Sequence, residues 1–571
     1  METVAADGIT DGDYFFALGF LEGHLTAQQV SNHVENLFRS PNRQSSNKVF
    51  DVPEVREFLV EQRKLASKSI IEYPHDPFWK NVGYMIRLME GIQEGSKGTA
   101  HLSDQEIWAM NAWADLGDVK AALKNTTYSQ IQASDPILDM DCSAVVRITP
   151  EEEMFVGHSD WATFPEMNKI YKHINFRHVA DPNVKSHIIS YTSRPATVSS
   201  IDDWYLMPEQ QLAVTETTNS VLNTKLLTTF VKPDGIPASI RAMVANLGAD
   251  GGKTWHDMFS RHNSGTQNNQ WMIVNYAAFR AQHQDVAEPL LRHDILWVVE
   301  QVPSKVVGRD MTQTLETQGF WTSFNCAFFP EIRDLSGYTE REKRDPTWSN
   351  CQDARAPIMQ RDTAMIADVE GVKLLLTSNN FEHEAFANGC PHHTVAGRYD
   401  ILSPQCVTQS STDAFGAIDA KVTSGKMMLM GASIGRVGPS RDGVPRFRWS
   451  TSNFSFSHLG LPDDPKFDFE YFATPWAFDS AAAHNGLSPQ VHGNANSVKS
   501  SVMLPTLCLV LGAMLLWNTI FKHLPKRVRL PEFASPTTFF CSFSSPRTQH
   551  FFRTFSSPRS DECHFEQHLL A

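Results

Sequence analysis

The sequence holds no Cys-x-x-Cys pair, which excludes the paired-thiolate zinc modules. Its eight cysteines, at 142, 326, 351, 390, 406, 508, 541 and 563, are too thinly spread over 571 residues for a disulfide scaffold. Basic residues are in deficit: 50 Lys and Arg face 64 Asp and Glu, a net charge of −14. So acidic a chain is poorly suited to neutralising phosphates, and no nucleic acid is expected as a partner. Residues Met1 to Gly8 include neither a basic nor an apolar stretch, so no signal peptide is visible. No solenoid-like repeat runs through the body of the chain.

What is present is the composition of a folded protein: 41% hydrophobic and 20% charged residues, with room for two or three domains. Apolar residues at helical spacing predict helices over Tyr14–Arg39, Val55–Ser67, Pro77–Gly91 and Ser103–Leu123. Asp104 and Glu106 suit the first turn of the last of these, where the helix dipole favours acids. Asn125–Met140 is polar and without period, as in an exposed loop, and closes a mainly helical portion, 1–141. From Cys142 to about Tyr471 strand-like runs dominate: Ser186–Thr192, Leu212–Thr217, Trp271–Tyr276, Ile295–Val302 and Lys426–Met430. Helices are expected between them at Trp161–His173 and Ala238–Asp250. Strands in groups with helices in groups predict an α+β layered fold over 142–480.

Residues 481–501 read as a linker. Val502 to Phe521 carries no charge and is long enough to span a bilayer. Lys522, Lys526, Arg527 and Arg529 follow at once, which places the C-terminal side in the cytoplasm. The basic tail, 522–571, is rich in Ser, Pro and Phe, repeats Phe-Phe-x-x-Phe-Ser-Ser-Pro-Arg at 539–547 and 551–559, and reads as disordered.

Several positions could carry chemistry. Cys142–Thr149 and Met154–His158 read as two arms of a hairpin, turning at Pro150–Glu153. A cysteine heading one arm, with His158 on the other, fits a nucleophile site; it also fits a small buried hydrophobe. Asn263 to Tyr276 is dense in amides and runs into a strand. Such amides can stabilise an oxyanion, or simply make a hydrogen-bonded turn. Gly431-Ala-Ser433-Ile-Gly435 has the form of a nucleophile elbow, but the Arg- and Gly-rich stretch after it starts no good helix. His383, Cys390, His392 and His393 match no standard metal spacing, so no metal ligand is assigned. Cys390 and Cys406 flank a polar loop and could either pair or stay free. Asp250-Gly-Gly-Lys-Thr lacks the first glycine of a phosphate loop and reads as a helix-ending turn. Asn125 and Asn453 stand in glycosylation sequons.

The run Asn-Ser-Gly-Thr-Gln-Asn-Asn-Gln-Trp-Met-Ile-Val, 263–274, resembles the signature of the phospholipase B-like (lamina ancestor) family. Glu22-Gly-His-Leu-Thr26, Cys142-Ser-Ala, Gly157-His-Ser-Asp-Trp161, Thr217-Thr-Asn-Ser220, Val299-Glu-Gln-Val-Pro303 and Phe447-Arg-Trp449 follow the family in the same order. The resemblance covers about Tyr14 to Tyr471. It implies the N-terminal nucleophile hydrolase fold, an αββα sandwich, and maturation by a cut between Asp141 and Cys142. Cys142 would then be the nucleophile, with its own freed α-amine, pKa about 8, as base. His158 and Trp161 would line the pocket, and Asn219 and Asn269 would hold the oxyanion. Thr218, Asn246 and Asn268 would touch substrate.

The implied reaction is deacylation of glycerophospholipids. N-acyl amide hydrolysis is the closest alternative, and a non-catalytic lumenal binding protein the next. No cofactor is expected. The membrane would be met through the C-terminal helix, with the enzyme on the lysosomal or extracellular side. The family's usual signal peptide and first strand are not seen here, and the C-terminal span is not a usual family feature.

Overall fold

A computed structural model of the chain describes residues 8–124, 142–283, 292–346, 354–407, 411–465 and 468–474, together with 349, 351 and 409. Within them the chain opens with helices. Asp11–Leu25 packs lengthwise on Pro77–Ser96. Glycines permit the close approach: a Cβ on Gly19 would sit 2.0 Å from the Leu88 carbonyl oxygen, and one on Gly91 2.1 Å from that of Phe16. The expected helix over Tyr14–Arg39 is divided at Thr26 into Asp11–Leu25, Ala27–Val34 and a wider turn, Glu35–Arg39. The expected helix over Ser103–Leu123 is likewise divided, into Asp104–Asn111, a 3₁₀ turn at Trp113–Asp115 and Leu116–Lys124; Ser103 and Glu106 cap the first piece reciprocally, as the acids there foreshadow.

The strands follow. β1 (Cys142–Ile148) and β2 (Met154–Thr163) form an antiparallel hairpin. β3 (Ile170–Asn175), β4 (Ile188–Ser193), β5 (Trp204–Met207), β6 (Leu212–Thr218), β7 (Asn269–Asn275), β8 (Leu296–Val302) and β9 (Lys305–Asp310) then pair in chain order as one antiparallel sheet. β10 (Phe320–Ser323), β11 (Phe415–Ala417), β12 (Asp419–Ser424), β13 (Ser433–Val437) and β14 (Glu470–Phe472) return to the hairpin. Among the described residues the first sheet runs β10-β1-β2-β12-β13-β14, with β11 also on β2.

The two sheets pack face to face. Ala144, Val146 and Val156 of the first meet Leu206, Ala213, Met272 and Val298 of the second in one apolar cluster. The far side of the second sheet, with Tyr205, Val214 and Ile273, is covered by Pro77–Ser96, Ala238–Gly248 and Gly252–Phe259. The far side of the first, with Val145, Phe155 and Val422, is covered by Arg355–Thr363 and Val369–Thr377. The layers run helices, sheet, sheet, helices. With both faces of each sheet covered, strands such as β1 are buried at every position and lack clean alternation.

Two expected elements are corrected. Trp161–His173 is not a helix: β2 runs on to Thr163, a 3₁₀ turn spans Phe164–Glu166, and β3 begins at Ile170. Pro165 stops the strand, and β2 is lengthened by pairing with β11, some 250 residues away in sequence, which local spacing cannot reveal. Lys426–Met430 is not a strand. Ser424 accepts from the Met427 amide and caps a helical turn, Gly425–Met428, before Gly431, at φ 53°, reverses the chain into β13. Ser433 therefore opens a strand rather than an elbow. Its hydroxyl meets Tyr171 Oη at 2.7 Å and accepts from Trp204 Nε1 at 2.9 Å.

Candidate active site

Cys142 is the first residue of β1, opposite Asp160 in the ladder, and fully buried in the intact chain. Its backbone is clamped. The Cys142 N–H donates to Asn325 Oδ1 at 2.9 Å, and its carbonyl accepts from Arg355 Nη1 at 2.7 Å. Asn325 follows β10 and adopts φ 67°, a left-handed conformation that asparagine tolerates better than most residues. Its amide donates to the Thr218 carbonyl at 2.6 Å, and its oxygen also accepts from Arg355 Nη2 at 2.8 Å. The Arg355 guanidinium lies over the Trp161 ring, 4.7 Å from its centre. A disulfide joins Cys326, next to Asn325, to Cys351, four residues before Arg355.

The thiol sits among polar side chains. Cys142 Sγ is 3.8 Å from Asp160 Oδ1, and the Trp161 backbone N–H is turned to it. One donor atom each from Cys142, His158 and Glu216 lie within 4.8 Å of one another, all three residues being buried. Burial, then the negative charges of Asp160 and Glu216, pushes the thiol well above its ordinary pKa. Burial, then the Lys421 ammonium, holds His158 well below its own, so the imidazole is neutral. Burial raises Glu216 to about 8, with the charge of Asp160 adding to it. Burial and the facing Glu216 push Asp203 well up, so the two carboxyls keep a proton between them. Asn269 is fully buried, and neither side-chain atom has a hydrogen-bond partner among the described residues. That is an amide free to receive a ligand.

Behind Asp160 lies a cluster of buried charge. Lys169 Nζ contacts Asp160 at 2.7 Å, Asp202 at 2.9 Å, and Asp419. Lys421 bonds Asp202 and Asp419, and Arg194 bonds Asp160 and Glu166. Burial works against the Lys169 charge, but the three carboxylates together outweigh it and raise its pKa. A cation is thus already built into this acidic triplet. Cys390 is bonded to Cys406, so it offers no thiolate to His392 and His393.

The other residues expected at the site are distributed unevenly. Asn219 points its Nδ2 at Glu300 Oε1, 3.5 Å away, while its backbone N–H donates to the Asn268 carbonyl. Asn268 is held in its turn by Asp118 and the Gly265 carbonyl. Thr218 offers its carbonyl to Asn325, and its hydroxyl has no partner among the described residues. Asn246 accepts from Trp255 within the outer helix layer and serves packing there. Trp161 is buried, donating from Nε1 to the Val395 carbonyl at 3.3 Å, and reaches Cys142 through its own amide and through Arg355. Asn453 is exposed. Asp141, Asn125 and the apolar run 502–521 lie outside the described residues. Among those residues no helix is long and apolar enough to cross a membrane.

Comparison with known proteins decides the family. The phospholipase B family model matches residues 1–473. The chain belongs to the phospholipase B family. It is 34% identical to a phospholipase B of Crotalus adamanteus over 474 residues, 80% of this chain and 81% of that one. Human phospholipase B-like 1 is 32% identical, with 80% of each chain covered. Phospholipase B-like protein B of Dictyostelium discoideum is 31% identical, with 78% of each covered.

In this phospholipase B family member, sequence reading missed Glu216, Asp203, Asn325 and Arg355. Glu216 stands one residue before Thr217-Thr-Asn-Ser220, a stretch already singled out. Asn325 and Arg355 had no local signal, since each meets Cys142 across some 200 residues of chain: 183 for one and 213 for the other.

Proposed function

We propose that the chain is a self-processing N-terminal nucleophile hydrolase that removes acyl chains from glycerophospholipids. The observation that carries this reading is Cys142 at the head of β1, with its nitrogen on Asn325 and its sulfur beside His158, Glu216 and Asp160. The four-layer order and the phospholipase B family support it.

In maturation the Cys142 sulfur attacks the Asp141 carbonyl carbon. The C–N bond breaks, the nitrogen takes a proton, and a thioester forms. Water then cleaves the thioester, leaving a carboxylate on Asp141 and a free thiol and α-amine on Cys142. The amine, held at Asn325, takes the thiol proton in each later turnover; unperturbed α-amines have a pKa of about 8, low enough for a base at mild pH. The thiolate attacks the lipid ester carbonyl, and the unpartnered Asn269 amide donates to the oxyanion. The alcohol leaves with the proton, and water releases the fatty acid. The neutral His158 orients the attacking water. Residues 502–521 tether the enzyme to the membrane carrying its substrate, with the catalytic body on the lysosomal or extracellular side.

The test is intact-mass and N-terminal analysis of wild type and Cys142→Ser, with product analysis on phosphatidylcholine and on an N-acyl ethanolamine. Two fragments are expected from wild type, the second beginning at Cys142, and one chain from the variant. Fatty acid release is expected from the phospholipid and should fall at least about 10³-fold in the variant. An uncut, fully active wild type overturns the mechanism. Turnover of the N-acyl amine alone replaces the substrate class.

A further inference from the structure

The surroundings of Cys142 hold more unsatisfied donor capacity than hydrolysis uses. Among the described residues neither ring nitrogen of His158 has a hydrogen-bond partner, and neither oxygen of Glu216 receives an N–H; both residues are fully buried. The neighbour of Glu216 is another carboxyl, Asp203, whose Oδ2 accepts from Gln267. A buried imidazole left this bare is unusual in a folded protein. Three different donors converge here: the Cys142 sulfur, an imidazole nitrogen and a carboxylate oxygen, each within 4.8 Å of the other two. The other buried triplets of ligating groups are already committed, one to Lys169 and one through the Cys390–Cys406 disulfide.

Thiolate, imidazole and carboxylate are a zinc donor set. On a tetrahedral ion, ligands at 2.0–2.3 Å stand roughly 3.5 Å apart, so closing the site takes movements of about 1 Å. Asp160 adds negative charge around the cation, and Lys421 opposes it.

We propose that Cys142, His158 and Glu216 bind a thiophilic divalent cation, zinc fitting best, and that the bound ion silences the nucleophile. The silencing rests on the reading of Cys142 as nucleophile; the binding does not. On binding, the thiol proton and the proton shared by Asp203 and Glu216 leave to solvent. His158 supplies a lone pair, and water takes the fourth position. No electron is transferred. Coordination draws negative charge from the sulfur onto the ion and fixes it among His158 and Glu216, so it is a far weaker nucleophile toward an ester.

Cobalt(II) is the probe, titrated into the full-length chain before and after any cut at Cys142. One ion per chain is expected, with a thiolate-to-cobalt charge-transfer band that zinc displaces. Cys142→Ser, checked for folding by circular dichroism, should lose the band. His158→Ala and Glu216→Gln should weaken binding at least about tenfold. Zinc should stop phospholipid hydrolysis and a chelator restore it. No bound ion in wild type, or a band that survives Cys142→Ser, overturns the site whatever the activity. A bound ion with hydrolysis unimpaired overturns the silencing. A bound ion on a protein that hydrolyses nothing supports the site and removes the hydrolase reading instead.

Discussion

Asn325 accepts from the Cys142 nitrogen and from Arg355, and donates to the Thr218 carbonyl, so one side chain ties the head of β1 to β6 and to the helix Arg355–Thr363. Asn325→Ala should cost about 1–3 kcal/mol in urea unfolding and, on the maturation proposed above, slow the appearance of the two fragments. Asn325→Gly removes the same contacts but suits φ 67°, so an equal loss there assigns the effect to the side chain rather than to backbone strain. Glu216 gives a pH signature. Its pKa is about 8 in the folded chain, against the ordinary glutamate value of 4.5 once the chain is unfolded. Between these values the folded chain holds the proton and the unfolded chain does not, so this group lowers stability as pH rises from 4.5 to 8. Thermal melts from about pH 5 to 8 should therefore fall more steeply for wild type than for Glu216→Gln, and parallel curves would refute the buried proton. Cys142 and His158 were legible because one hairpin carries both. The charged partners of that hairpin were not, because burial and pairing are properties of the folded interior.

At the scale of elements, Asp11–Leu25 lies against Pro77–Ser96 with backbone touching backbone. The Phe16 carbonyl oxygen occupies the place of a Gly91 Cβ. Neither backbone can yield locally, so Gly91→Ala should lower stability by roughly 3 kcal/mol, read as a shift in the urea midpoint at constant slope. The helices and the hairpin were legible from apolar spacing and turn residues. The segments 161–173 and 426–430 were misread for opposite reasons. One gains its extended form from β11, a distant partner. The other, Lys426 to Met430, is apolar enough for a strand but is started as a helical turn by the Ser424 cap.

At the scale of the molecule, the two sheets are joined by apolar packing and by charge. Lys169, just before β3 of the second sheet, is bonded to Asp160 on β2 and Asp419 on β12 of the first. Lys169→Met should cost about 3–5 kcal/mol, because three buried carboxylates lose a shared cation. Urea unfolding at about pH 7 checks the loss. The layered α+β class was legible from the grouping of strands and helices. The order of strands in the first sheet was not, since it joins segments from both ends of the body.

That order bears on the moment at which the thiol is completed during synthesis. A nascent chain halted at Asp310 already owns every strand of the second sheet, each beside its predecessor. It still lacks Asn325, Arg355 and the strand that shelters His158, Lys421 being opposite that histidine in the ladder. On the maturation proposed above, scission at Cys142 would wait until the ribosome has passed Ser424, and a cut molecule would certify that nearly all of the layered body has been translated and folded.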